Sequence, residues 1–121
     1  MTALAVFQYP ARVVFGAWLP IEAAQDAAPA TPGVLQARGD AVIELPKGKS
    51  AMLLYAASDD GASLQSFVRG AGAAVLERAR AQGARHVRFG PTPAPQAELA
   101  RLLERFDERF GAPPPANRLL M

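Results

Sequence analysis

"PGVLQARGDAVIELPKGKSAMLLYAAS", residues 32–58, decides the fold. Three apolar runs stand in it: Val34 to Arg38, Ala41 to Leu45 and Ala51 to Ala57. Gly39-Asp40 separates the first two, and "PKGKS" separates the second from the third. Runs of this length rich in branched residues and bounded by turn formers predict strands. Connections this short join antiparallel neighbours, so the stretch predicts a meander. The last run is the most apolar and is expected to be the central strand, buried on both faces.

Gly48-Lys49-Ser50 looks like the end of a phosphate-binding loop. Such a loop needs a glycine five positions before its Gly-Lys pair and a helix after it. Ile43 stands at that glycine position and a strand follows, so the amides have no helix N-terminus on which to converge. Lys47 and Lys49, the only lysines of the chain, are better read as flanks of a hairpin turn.

Downstream, "SDDG" (Ser58 to Gly61) leads into a long helix predicted over 62–82. Leu64, Phe67, Val68, Ala71, Val75 and Leu76 fall close to one helical stripe. Gly70 and Gly72 inside it predict close packing or a kink, since glycine costs about 1 kcal/mol against alanine in a helix. Gly83 ends it, Ala84 to Phe89 is a fourth strand candidate, and Thr92 is placed to cap a helix over 95–110. Leu99, Leu102, Leu103, Phe106 and Phe110 line one face of that helix, Gly111 stops it, and "APPPANRLLM" reads as an extended tail. Upstream, Arg12 to Phe15 is a strand candidate, and a helix of about two turns starts at Pro20, where proline is tolerated.

The expected fold is therefore α+β: a small antiparallel sheet of three to four strands, flanked by two long helices and one short N-terminal helix. A chain of 121 residues, half of them apolar, is expected to form a single domain with one core. Residues 1–31 form an N-terminal extension to the core of 32–118, and 112–121 form the tail.

Composition bounds the chemistry. There is no cysteine, which removes disulfides, thiolate metal sites and cysteine nucleophiles and fits a cytoplasmic protein. His86 is the single histidine. It sits on a strand beside Arg85, where a structural role outweighs a catalytic one. No basic-then-apolar leader and no membrane-length apolar run is visible. The net charge is only +2, so nucleic-acid binding has to rest on local clustering. Arg78, Arg80, Arg85 and Arg88 crowd around the end of the first long helix and the next strand, with Arg69 two to three turns earlier. Together they are candidate phosphate contacts, against the plainer reading of a solvated helix end whose cations offset the dipole. Asp59 and Asp60 are candidate magnesium ligands, although helix capping is the more ordinary role for that pair.

The order of "PGVLQAR", "MLLYAAS", a helix beginning "GASLQSFVRG", a strand, a helix carrying Glu98 and a closing "FGAPPPAN" resembles the GIY-YIG endonuclease domain, over about residues 32–118. Gly33-Val34-Leu35 stands at the first family motif, with leucine in place of its tyrosine. Tyr55-Ala56-Ala57 stands at the second, without its glycine. The family's helix arginine falls at Phe67 in the nearest register, with Arg69 two residues on. Glu98 matches the metal-binding glutamate and Asn117 the late asparagine. The resemblance implies a catalytic set of Tyr55 as base, Arg69 as phosphate stabiliser and Glu98 as ligand of Mg2+ or Mn2+. Losing the first tyrosine, and in that register the arginine, implies a degenerate member without a catalytic centre, since hydrolysis needs nucleophile, stabiliser and metal together.

The leading expectation is a noncatalytic binding or interaction module with no cofactor. Its partner is another protein or a second copy of the chain, with nucleic acid the alternative. Trp18, Leu19, Leu119, Leu120 and Met121 are apolar residues near the ends that a monomer need not bury, and exposed apolar patches mark partner surfaces.

Overall fold

A computed structural model describes residues 13–118. Its strands are β1 (Leu19–Pro20), β2 (Gly33–Leu45), β3 (Gly48–Ala57) and β4 (Ala84–Pro91). They form one 4-stranded sheet in the order β1-β4-β2-β3, antiparallel throughout. A 3-10 turn, Ile21–Ala23, runs into α1 (Ala24–Ala27). Then come α2 (Leu64–Arg69), α3 (Ala71–Ala81), α4 (Pro95–Phe110) and α5 (Pro115–Arg118). The architecture is α+β, as the sequence predicts. Among the described residues no helix is long and apolar enough to cross a membrane.

The differences from the sequence reading have physical causes. Gly39-Asp40 is no turn, and β2 passes through it as one strand of 13 residues. The ladders absorb the pair as irregularities, with register shifts around Arg38 on both sides. Gly39 is there for close approach: a Cβ on it would lie 2.8 Å from the Gly83 carbonyl oxygen. Ala41 to Leu45 consequently continues the same hairpin arm, pairing Ile43 with Ser50 and Leu45 with Gly48 across the Pro46-Lys47 turn.

β2 rather than β3 is an inner strand, because β4 returns to its other side. Leu53 to Ala57 of β3 are nevertheless buried, as their composition predicts. Helices rather than a further strand cover that edge, with α4 and α5 both lying against β3.

The first long helix is two. Gly70, at φ −115° and ψ −119°, ends α2 and starts α3. Gly72 serves packing, because a Cβ on it would come within 2.6 Å of the Phe67 ring.

At the ends, residues 13–18 form no strand, and Arg12 lies outside the described residues. The proline-rich tail closes into α5 rather than running extended. Thr92 does not cap α4; its hydroxyl accepts from the Ala94 amide at 3.3 Å in the preceding turn, and Ala94 is the N-cap. In "SDDG" neither aspartate caps α2, since Ser63 accepts from the Ser66 amide at 3.0 Å. Asp60 instead accepts from Gln96 at the start of α4, 3.4 Å away.

The core lies on one sheet face. Leu35, Ala37, Leu54, Ala56, Val87 and Phe89 pack there against Ile21, Leu64, Val68 and Leu76 from the helices. The alternation of the same strands turns another set of residues to the opposite face.

Candidate functional site

On that opposite face the register assembles a polar row. Gln36 at the centre of β2 stands opposite Tyr55 on β3 and Arg88 on β4. Arg88 Nε donates to Gln36 Oε1 at 2.6 Å, and the same carboxamide lies near the Tyr55 hydroxyl, whose ionised form it favours. Gln36 is buried, with 4% of its surface exposed, and its carbonyl oxygen is paired with Arg88. This is what a buried carboxamide requires, because an unpaired one costs its full desolvation.

Two residues along β2, Arg38 stands opposite His86. The Arg38 and Arg88 guanidiniums both lie over the Trp18 ring, 4.3 and 4.5 Å from its centroid, and Arg88 is also 4.8 Å from Phe15. The segment before β1 thus lays its aromatic side chains against two cations of the sheet. Burial, and after it the neighbouring Arg38 charge, pull Arg88 below the ordinary arginine value. Burial pushes the Tyr55 hydroxyl up, against smaller opposing effects of Arg88 and the Gln36 carboxamide. Both shifts follow first from the cost of holding charge away from water, and for Arg88 the like charge of Arg38 adds to it. His86 Nδ1 faces Asp40 Oδ1 at 3.7 Å.

Tyr55 is fixed a second time through its main chain. Asn117 Oδ1 accepts from the Tyr55 amide at 2.9 Å, and Asn117 Nδ2 donates to the Tyr55 carbonyl at 2.9 Å. This carboxamide occupies the place of a neighbouring strand's peptide and satisfies the edge that β3 would otherwise leave open. Phe106 of α4 meets the Tyr55 ring edge-on, with centroids 5.7 Å apart. Beside the clasp is an apolar groove of about 270 Å3 between Phe67 and Val75 on one side and Leu99 and Leu103 on the other.

The residues singled out from the sequence lie in several places. Tyr55 belongs to the polar row. Arg69 closes α2, where its Nε donates to the Gln25 carbonyl at 3.2 Å. Glu98, largely buried in the first turns of α4, pairs with Arg101 Nη2 at 2.7 Å. Phe67, at the register of the family arginine, is a wall of the groove. Among the described residues no three histidine, aspartate or glutamate side chains gather as a metal site.

The five arginines read as one cluster divide across the sheet. Arg80 bridges Glu22 and Glu77, each at 3.7 Å, and Arg85 lines the same helix-side cavity. Arg78 is exposed at the end of α3. Arg88 points to the other face, into the row with Gln36 and Tyr55. Of the apolar residues expected to face a partner, Trp18 packs on the arginines and Leu19 packs against the core, opposite Val87. Leu119, Leu120 and Met121 lie outside the described residues.

No family model, curated protein or solved structure matches this chain. The geometry itself therefore carries the functional reading.

Sequence reasoning missed Arg38, Gln36, Phe15 and Trp18 as members of one group. The available signal was the spacing of two between Gln36 and Arg38 and between His86 and Arg88, which places each pair on one face of its strand.

Proposed function

We propose that this protein is a noncatalytic binding module. The observation that carries the reading is how Tyr55 is held. Its hydroxyl is made harder to ionise by burial, and its amide and carbonyl are clasped by Asn117. A general base has to sit within hydrogen-bond reach of the proton it takes, with its pKa near the working pH. A buried tyrosine pushed further up is the reverse of that. The other two residues of the resembled catalytic set, Arg69 and Glu98, are engaged by Gln25 and Arg101 rather than by Tyr55 or by one another. The side chains that a degenerate endonuclease-like domain would retain thus serve its fold, and binding requires only its surface.

The test is a cleavage assay on supercoiled and linear DNA with Mg2+ or Mn2+, comparing the intact protein with Glu98→Ala. The expected result is no cleavage above that of the variant. Metal-dependent nicking that Glu98→Ala abolishes would overturn the reading in favour of a nuclease.

A further inference from the structure

We propose that Arg38 and Arg88 form a binding site for a phosphate group on the sheet face opposite the core. The charge balance of the chain points there first. All eleven acidic side chains lie within residues 13–118, and the flanking segments 1–12 and 119–121 contain none. The ion pairs formed by these acids go to Lys49, Arg80, His86 and Arg101. None goes to Arg38 or Arg88, and Asp40, the carboxylate near this row, is turned to His86.

Two guanidiniums therefore share the Trp18 ring, and among the described residues no carboxylate pairs with either. Their proximity is unfavourable, as the effect of Arg38 on Arg88 shows, and a dianion bridging them would remove the cost.

Both groups are also positioned in advance. The Trp18 ring contacts both guanidiniums, and Gln36 fixes Arg88 through Nε, which leaves its terminal N–H groups to donate. Planar guanidinium forks pair with phosphate in a bidentate manner, and fixing them beforehand lowers the ordering cost of binding. With two guanidiniums laid over the indole, the ring is engaged by the arginines rather than offered to a base, so the chemistry favours an oxyanion over base stacking.

Trp18 is the only tryptophan of the chain, and its emission reports directly on the site. The intact protein is titrated with inorganic phosphate and with pyrophosphate, with ionic strength held constant by sodium chloride. A saturable change in Trp18 emission is expected, weakened about tenfold or more in Arg38→Gln, as loss of a charge-assisted bidentate contact implies. Arg38→Lys, which keeps the charge and loses the fork, should bind between the two. Arg78→Gln, on the exposed end of α3, should match the parent.

Circular dichroism of Arg38→Gln establishes that a lost response is not a lost fold. A dephosphorylated oligonucleotide that displaces phosphate, with steep salt dependence, assigns the phosphate to a nucleic-acid backbone. Displacement by pyrophosphate alone assigns it to a small phosphorylated ligand. Absence of a saturable response in the intact protein, or a response unchanged in Arg38→Gln, overturns the site.

The inference rests on the binding-module reading, and the two fail separately. DNA cleavage dependent on Glu98 defeats that reading whatever phosphate does, and absence of phosphate binding defeats only this site.

Discussion

The two faces of the β4-β2-β3 sheet are built by alternate residues of the same strands, yet they follow different rules. On one face Leu35, Ala37, Leu54, Ala56, Val87 and Phe89 form a dry layer under the helices. On the other, Gln36, Tyr55, Arg88 and Arg38 form a polar row held by the Arg88–Gln36 hydrogen bond and by the contacts of both arginines with Trp18. The first face is non-directional, and any well-packed apolar set of the right volume would serve it. The second depends on particular atoms meeting, so each member has a partner without which it would be a liability. Stability is therefore expected to reside on the first face and specificity on the second.

The largest effect that checks this division is on the core side. Leu35 is fully buried at the centre of an inner strand, and Leu35→Ala should cost about 3 to 5 kcal/mol, as cavity-forming truncations do. Chemical denaturation measures it directly. A loss no larger than that of a single substitution in the polar row would break the contrast between the faces.

That contrast also explains what could be read from the sequence. The core face was legible because a strand's period of two and a helix's stripe are local patterns. Val34 to Arg38, Ala51 to Ala57 and the stripe of Leu64, Val68 and Leu76 reveal themselves within a few residues. The polar row was not legible, because it joins positions 18, 36, 38, 55 and 88 through the register of several strands. That register depends on β2 being an inner strand, which in turn depends on Gly39 passing close to Gly83 rather than turning. Reading charge by proximity along the chain grouped Arg85 with Arg88. Alternation along β4 puts Arg85 on the helix side with Val87 and Phe89, and Arg88 on the other. The tail failed in a similar way: "PPPAN" looks extended until Asn117 is seen to need a helical turn to reach Tyr55.

Asn117 lies at the sheet edge, where the contrast between the faces can be sharpened. Its carboxamide makes both bonds to Tyr55 in a buried setting. Asn117→Ala leaves an amide and a carbonyl without partners, and an unsatisfied buried group costs about 1 to 3 kcal/mol. A loss of about 2 to 4 kcal/mol is expected by the same reckoning, below that of Leu35→Ala at its upper end. Unpaired strand edges also recruit other chains, so light scattering of the variant should rise with protein concentration. A variant as stable as the parent would show that the clasp is dispensable.

The smallest effect comes from the polar row itself and is identified by its pH dependence. Tyr55→Phe removes one hydroxyl from beside the Gln36 carboxamide, which should cost about 1 kcal/mol near neutral pH. Burial raises the Tyr55 pKa in the folded protein, whereas in the unfolded chain it ionises near its ordinary value of about 10. Above that value the unfolded state gives up the proton while the folded state retains it. The folded state then binds more protons, and stability falls as pH rises. The contribution of the hydroxyl is thus fully present below about pH 10 and is lost as pH climbs towards the folded value. Phenylalanine has no such proton, so the gap between parent and variant should narrow above about pH 10. Taking the difference between the two proteins cancels the lysines and the other tyrosine, which titrate in the same range. A gap that stays constant through that range would mean that Tyr55 ionises alike in both states. In that case the row would hold it no more tightly than solvent does.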